Sequence, residues 1–202
     1  MGKIVISSNV TLDGVVQDPD GSEGFERGGW FHQFVGSKDL EDWQARETQE
    51  ALGVEALLLG GRSSEWFASR MVSGVGAAVR VSPEWADRIN SLPKYVVSST
   101  LDEPQWTNAT VLGGDAVKEI SELKRKVDGE ILVYGSYQLL RTLIEQNLAD
   151  ELRLVVFPVM LGTGRRLFDE TSDKKPLHLV NTRRIGDSLV FYTYEFVQGQ
   201  RL

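Results

Sequence analysis

A chain of 202 residues, 41% hydrophobic and 25% charged, is sized and composed for one soluble domain with a sizeable core. Its formal charge of −7 argues against duplex nucleic acid as the main partner, because neutralising phosphates needs a net basic face. The absence of cysteine removes disulfides, thiolate nucleophiles and cysteine-bound zinc or iron–sulfur together, and fits a reducing cytoplasm.

The opening MGKIVISSNV has one lysine and a short apolar run, Ile4-Val5-Ile6, which reads as a first strand and not as a signal peptide. A polar, glycine-rich segment of 24 residues follows, from Asp13 to Gly36. Loops of that length in compact domains are usually lids or binding loops. Over 38–52, Leu40, Trp43, Glu47 and Ala51 recur at helical spacing and stop at Gly53. Val54–Leu59 reads as a buried strand. Ser82-Pro83-Glu84 starts a helix, with serine as N-cap and proline where its missing N–H costs nothing. Pro93 ends it, and Lys94–Ser98 returns to strand. Val117, Ile120, Leu123 and Val127 make a helical face that stops near Gly129. Ile131–Tyr134 is a strand, Leu139, Leu140, Leu143 and Ile144 stripe the next helix, and Leu152–Val159 is strand again. In 188–197, Val190, Tyr192, Tyr194 and Phe196 alternate with Phe191, Thr193 and Glu195, as in a half-buried antiparallel strand. The longest apolar run, LVVFPVML, is too short to cross a bilayer, so no membrane association is expected.

Strands alternating with helices predict a single α/β domain over 1–202, with a mostly parallel central sheet, helices on both faces and antiparallel strands at the C-terminal end. Ligands of such sheets sit beyond the carboxyl ends of the parallel strands. Three of these ends carry small polar residues: Gly60-Gly61-Arg62-Ser63-Ser64, Ser98-Ser99-Thr100 and Gly135-Ser136. Free N–H groups and the positive end of a helix dipole suit a phosphate there, and glycine lets backbone approach it. Each motif alone is more often a cap or a turn than a site; three on consecutive edges point to an extended, phosphate-bearing ligand. Other signatures fail. GVGAAV at 74–79 lacks the last glycine of G-x-G-x-x-G and follows no strand, and no P-loop or G-x-S-x-G elbow occurs. With only His32 and His178, neither a metal centre nor a histidine triad is expected.

The segments VTLDGVVQDPDG (10–21), FERGGWF (25–31), LLLGGRSSEWF (57–67), PKYVVSSTL (93–101), ILVYGSYQLLRTLIEQNLADELRLVVFPVMLGTGRRLF (131–168) and the final SLVFYTYE resemble the dihydrofolate-reductase-like family. Within it they are similar to the branch containing the reductase half of the bifunctional riboflavin-biosynthesis deaminase-reductase. The resemblance implies a cytoplasmic homodimer that binds NADPH across the sheet and reduces a small heterocyclic or unsaturated substrate. Gly60 and Ser63 match the family's G-R-x-T turn, which meets the pyrophosphate. Gly61 stands where that turn has arginine, and Arg62 follows one place later, which leaves NADH open as the cofactor. Ser98, Ser99 and Thr100 match the segment near the adenosine ribose and its 2′-phosphate. Gly135 and Ser136, followed by Tyr137, match the small pair against nicotinamide and pyrophosphate, which in dihydrofolate reductases is Gly-Gly joined by a cis peptide.

On the substrate side the resemblance offers Asp13, Trp30 and Glu151. Asp13, Gly14 and Trp30 match the mobile loop over the nicotinamide. Trp30 is read either as a stacking platform for a planar ring or as a core plug. Glu151 is read either as a substrate contact or as a tie at the start of its strand. Dihydrofolate reductases also keep an acid on the first helix; Glu41, Asp42 and Glu47 fall in that region and are read as solvated helix charges. Two alternatives stand beside the general reductase. One is the riboflavin-pathway step on 5-amino-6-(5-phosphoribosylamino)uracil, limited to reduction because the zinc deaminase needs cysteines. The other is a non-catalytic nucleotide- or ligand-binding module, suggested by the displaced arginine.

Overall fold

The structure, a computed structural model, describes residues 1–73, 82–168 and 173–197. Strand β1 (Lys3–Thr11) leads into the long glycine-rich segment, which holds one turn of helix, α1 (Trp30–Gln33). Then come α2 (Ser37–Leu52), β2 (Ala56–Gly60), α3 (Gly61–Ser73), α4 (Pro83–Ser91), β3 (Lys94–Val97) and β4 (Ala109–Leu112). The chain continues through α5 (Ala116–Lys126), β5 (Glu130–Tyr134), α6 (Tyr137–Glu145), β6 (Glu151–Phe157), β7 (Leu177–Ile185) and β8 (Leu189–Phe196). The GVGAAV stretch lies outside the described residues.

The eight strands form one sheet in the order β4-β3-β2-β5-β1-β6-β8-β7. Pairs from β4 to β6 are parallel, and β8 joins β6 and β7 antiparallel, as expected from the sequence. Alternation of side chains along a strand divides the core between the two faces. In β1, Ile4 and Ile6 pack with Ile120 and Leu123 of α5 and with Leu140 and Leu143 of α6. Val5 faces the opposite way, into the cluster of Ala51 on α2, Ala68 on α3, and Trp85 and Ile89 on α4. A third cluster seats Trp30, Phe31 and Trp43 against Val155, Phe157 and Phe191. Among the described residues no helix is long and apolar enough to cross a membrane.

Two strands escaped the sequence pattern for a physical reason. β7 is exposed at every position but Ile185, so it carries no inside–outside alternation, and a bulge between Leu179 and Asn181 breaks its register with β8. β4 has four residues, none of them fully buried. The β7–β8 turn is pinned to the start of α2 by Asp39. Its carboxylate accepts N–H bonds from Asp187 (2.6 Å), Ser188 (2.9 Å) and Gly36 (3.0 Å), and the Ser188 hydroxyl donates at 2.6 Å. Gly186, at φ +58°, passes so close to Asp39 that a Cβ would collide with its backbone and carboxylate; only glycine fits.

Candidate functional site

The carboxyl ends of β1, β2, β3 and β5 open into one cleft of about 1510 Å³. All ten residues expected on the cofactor side line it: Gly60, Gly61, Arg62 and Ser63 after β2, Ser98, Ser99 and Thr100 after β3, and Gly135, Ser136 and Tyr137 after β5. No loop separates β2 from α3, so the strand feeds the helix N-terminus directly. The three ends abut. The Gly60 N–H donates to Ser136 Oγ at 2.8 Å. A Cβ on Gly61 would lie 3.1 Å from Ser98 Oγ, and one on Gly135 would lie 3.4 Å from Ser63 Oγ. Ser98 Oγ accepts the Leu101 N–H at 3.1 Å, closing the turn after β3. Gly135 and Ser136 both sit near φ +57°, and α6 starts without a side-chain cap, leaving its first N–H groups to other acceptors. The Gly135–Ser136 bond is trans, unlike the cis pair of dihydrofolate reductases.

Two arginines stand at this end of the cleft. Arg62 donates to Gln138 Oε1 at 3.1 Å, bridging α3 and α6, and the Arg165 guanidinium lies 4.1 Å from the centre of the Tyr137 ring. The long segment after β1 supplies the facing wall through Gln17, Asp18, Pro19 and Asp20. Arg70 of α3 fastens that wall: it pairs with Asp20 at 3.1 Å, donates to the Ser22 hydroxyl at 2.7 Å and stacks on Trp66 at 3.7 Å.

The three substrate-side candidates are not on the cleft wall. Trp30 is fully buried, with its ring edge-on to Phe31 and Phe157 and its indole N–H donating to the Gln17 carbonyl at 3.0 Å; it is the core plug. Asp13 accepts the Thr11 hydroxyl at 2.6 Å and the N–H groups of Gly162 (2.8 Å) and Leu161 (3.2 Å). Burial works to raise its pKa, yet those donors hold it below the ordinary value. Asp13 thus ties two turns together. Glu151 is 4% exposed and is held at 2.5 Å by both Lys3 and Arg153, which makes it the tie at the start of β6.

Among the acids that line the cleft, Glu47 is the buried one on α2. Of the three carboxyls read as solvated, Glu41 and Asp42 are exposed, with Asp42 paired to Lys38 at 2.9 Å. Glu47 is the correction: it is 8% exposed and lines the cleft with Trp43, Thr48, Trp85 and Tyr134. Its Oε1 accepts from Arg46 at 2.6 Å. Burial pushes its pKa up to about 7; Arg46 and, more weakly, the Tyr134 hydroxyl pull the other way, and Glu50 adds to the rise. The signal was present in the sequence, since Glu47 shares the helical stripe of Leu40, Trp43 and Ala51. A carboxyl on the apolar face of a helix is placed against the core, not against water.

A family model described as the RibD C-terminal domain matches residues 2–191. An uncharacterized Bacillus subtilis protein, YyaP, is 33% identical over 108 residues, a match that spans 54% of this chain and 57% of that relative. Among solved structures, a putative riboflavin biosynthesis protein from Shewanella sp. PV-4 superposes with a TM-score of 0.72 at 21% identity, over 97% of this chain and 99% of that one. A dihydrofolate reductase from Enterococcus faecalis, solved with NADP(H), superposes with a TM-score of 0.52 at 14% identity, over 96% of both chains. With the sheet order and the strand-end cleft, these matches place the chain in the RibD C-terminal domain family, on a dihydrofolate-reductase-like fold.

Proposed function

We propose that the chain is an NADPH-dependent reductase of a small heterocyclic or unsaturated substrate, with Glu47 as the proton source of the site. The observation that carries this reading is the cleft itself, in which three glycine- and serine-bearing strand ends share one space with a buried carboxyl of near-neutral pKa. The residues present fit a dinucleotide. Gly60, Gly61 and Gly135 let the three strand ends meet, where a Cβ would press on Ser136, Ser98 and Ser63, and the N-termini of α3 and α6 present N–H groups to a pyrophosphate. Ser98, Ser99 and Thr100 offer hydroxyls to the adenosine ribose and 2′-phosphate, and Arg62 and Arg165 supply the positive charge. When bound, the cofactor supplies the hydride. The chain's own share is to orient, to exclude water and to hold a proton: the aromatic rings of Trp43, Trp66 and Trp85 give a planar substrate apolar faces, and the Glu47 carboxyl donates.

Titrating NADPH while following tryptophan fluorescence tests the reading directly, because three of the five tryptophans line the cleft. Saturation in the micromolar range is expected, with NADH weaker. An unchanged signal up to high micromolar NADPH sinks it. Family membership favours a narrower version, reduction of 5-amino-6-(5-phosphoribosylamino)uracil, and failure to restore growth of a reductase-deficient strain would count against that version. Cofactor binding without turnover of any carbonyl or imine would instead favour a non-catalytic binding module. The second copy expected of a homodimer would dock on β7, the sheet edge, where Leu177, Leu179 and Val180 are exposed; sedimentation at micromolar concentration tests that.

A further inference from the structure

Glu47 does not stand alone. One turn further along α2, Glu50 is 7% exposed and shares the same guanidinium: Arg46 donates through Nη1 to Glu47 Oε1 at 2.6 Å and through Nη2 to Glu50 Oε1 at 2.5 Å. The two carboxyls differ in what else they hold. Glu50 also accepts the Ser7 hydroxyl of β1 at 2.8 Å and the Tyr134 hydroxyl of β5 at 3.2 Å, and Arg153 of β6 donates to it at 3.3 Å. Burial, with Glu50 and Glu47 beside it, pushes the Tyr134 phenol well above its ordinary range, so that hydroxyl keeps its proton and donates. Arg153 is itself fixed by Glu130 at 2.9 Å and Glu151 at 2.5 Å. Across the cleft, Asp20 and Arg70 are paired with each other, and Asp18 caps its own loop through the N–H groups of Glu23 and Phe25.

We infer that Glu50 is a positioning residue: held by Ser7, Tyr134 and Arg153, it divides the Arg46 guanidinium with Glu47 and so leaves Glu47 as the carboxyl that carries the cleft's exchangeable proton. Glu50 pairs with Arg153 as well as Arg46, whereas Glu47 pairs with Arg46 alone among the described ion pairs, and the proton goes to the carboxyl with fewer donors. The inference deepens the reading of Glu47 given above and rests on it for its catalytic meaning. The arrangement of charges is independent of that reading.

The test is a pH titration of the folded protein carrying 13C-labelled glutamate carboxyls, with no cofactor or substrate added. The wild type should show a carboxyl titrating near neutrality that is lost in Glu47→Gln. Glu50→Gln removes the competing charge and frees Arg46 for Glu47, so the same titration should fall by about one unit or more. Ser7→Ala removes the hydroxyl that donates to Glu50 and that both Arg46 Nη atoms approach at 3.4 Å, and is the milder change; with Glu50 then drawing harder on Arg46, the titration should move upward, which a purely structural role would not do. If Glu50→Gln does not fold, the direction of the Ser7→Ala shift decides. A titration unmoved in the variants that fold, or one that survives Glu47→Gln and disappears in Glu50→Gln, overturns the assignment. NADPH binding is measured separately: shifts without binding would remove the reductase reading and keep the coupling, whereas binding without shifts would remove the coupling alone.

Discussion

Two carboxyls on α2, eight residues apart, are both buried and end in opposite states. Asp39 in the first turn is 2% exposed, and its pKa is held down to about 2. Burial alone would raise it, but the Ser188 hydroxyl and the N–H groups of Ser188, Gly36 and Asp187 more than offset that. Glu47, two turns on, is 8% exposed with its pKa pushed up to about 7. Both side chains are shielded from solvent, but Asp39 lies close to the surface and collects four donors, three of them backbone N–H groups, while Glu47 lies deep, where desolvation is heavier, and divides one guanidinium with a better-anchored neighbour. A low pKa here marks a joint in the fold. The raised one is the basis of the proton-donor role proposed for Glu47.

Either carboxyl can be removed without the other. Asp39→Ala strips the acceptor from three N–H groups and should cost about 3 kcal/mol of stability, read from the urea midpoint at constant slope. Glu47→Gln should stay folded and bind NADPH like the wild type, yet lose on the order of 100-fold in turnover of any substrate found in a carbonyl and imine panel. An unchanged rate would remove Glu47 from the chemistry. The pH dependence of melting should separate the two with opposite signs. The contribution of Asp39 is complete above its unfolded pKa near 3.8 and is lost as pH falls toward about 2. Glu47, raised from 4.5 to about 7, is at its most favourable below 4.5 and weakens the fold as pH rises through 7. Glu47→Gln should therefore flatten the neutral limb of the melting profile, and Asp39→Asn the acid one. The smallest effect is expected from the exposed carboxyl between them: Asp42→Asn should leave both melting and turnover unchanged.

Much of the fold was legible because buried strands write themselves as apolar runs. Val54–Leu59, Ile131–Tyr134 and Leu152–Val159 mark β2, β5 and β6 to within a few residues, and Ile4–Ile6 marks the first half of β1. β7 was not legible, since a strand exposed on both faces has no pattern to show. The strand-end residues were found together because topology alone sends the carboxyl ends of parallel strands to one edge. The substrate side was harder. Asp13 reaches Gly162, and Glu151 reaches Lys3, across 149 and 148 residues, and no local pattern reveals such partners. Trp30 could not be placed from its loop, whereas Glu47 could have been placed from its own helix, had its position on the apolar stripe outweighed its charge.

The direct join of β2 to α3 at Gly60 and Gly61 has a consequence for how the chain can change. A residue inserted there would turn every side chain of α3 by about 100° relative to the strand. Ser63 would swing away from Gly135, and Arg70 from Asp20, so one codon would empty a corner of the cleft and unfasten its opposite wall. Length is constrained there by geometry as strictly as any side chain is by chemistry. Variation in what the cleft accepts is left to the segment between β1 and α2, where no sheet register counts the residues.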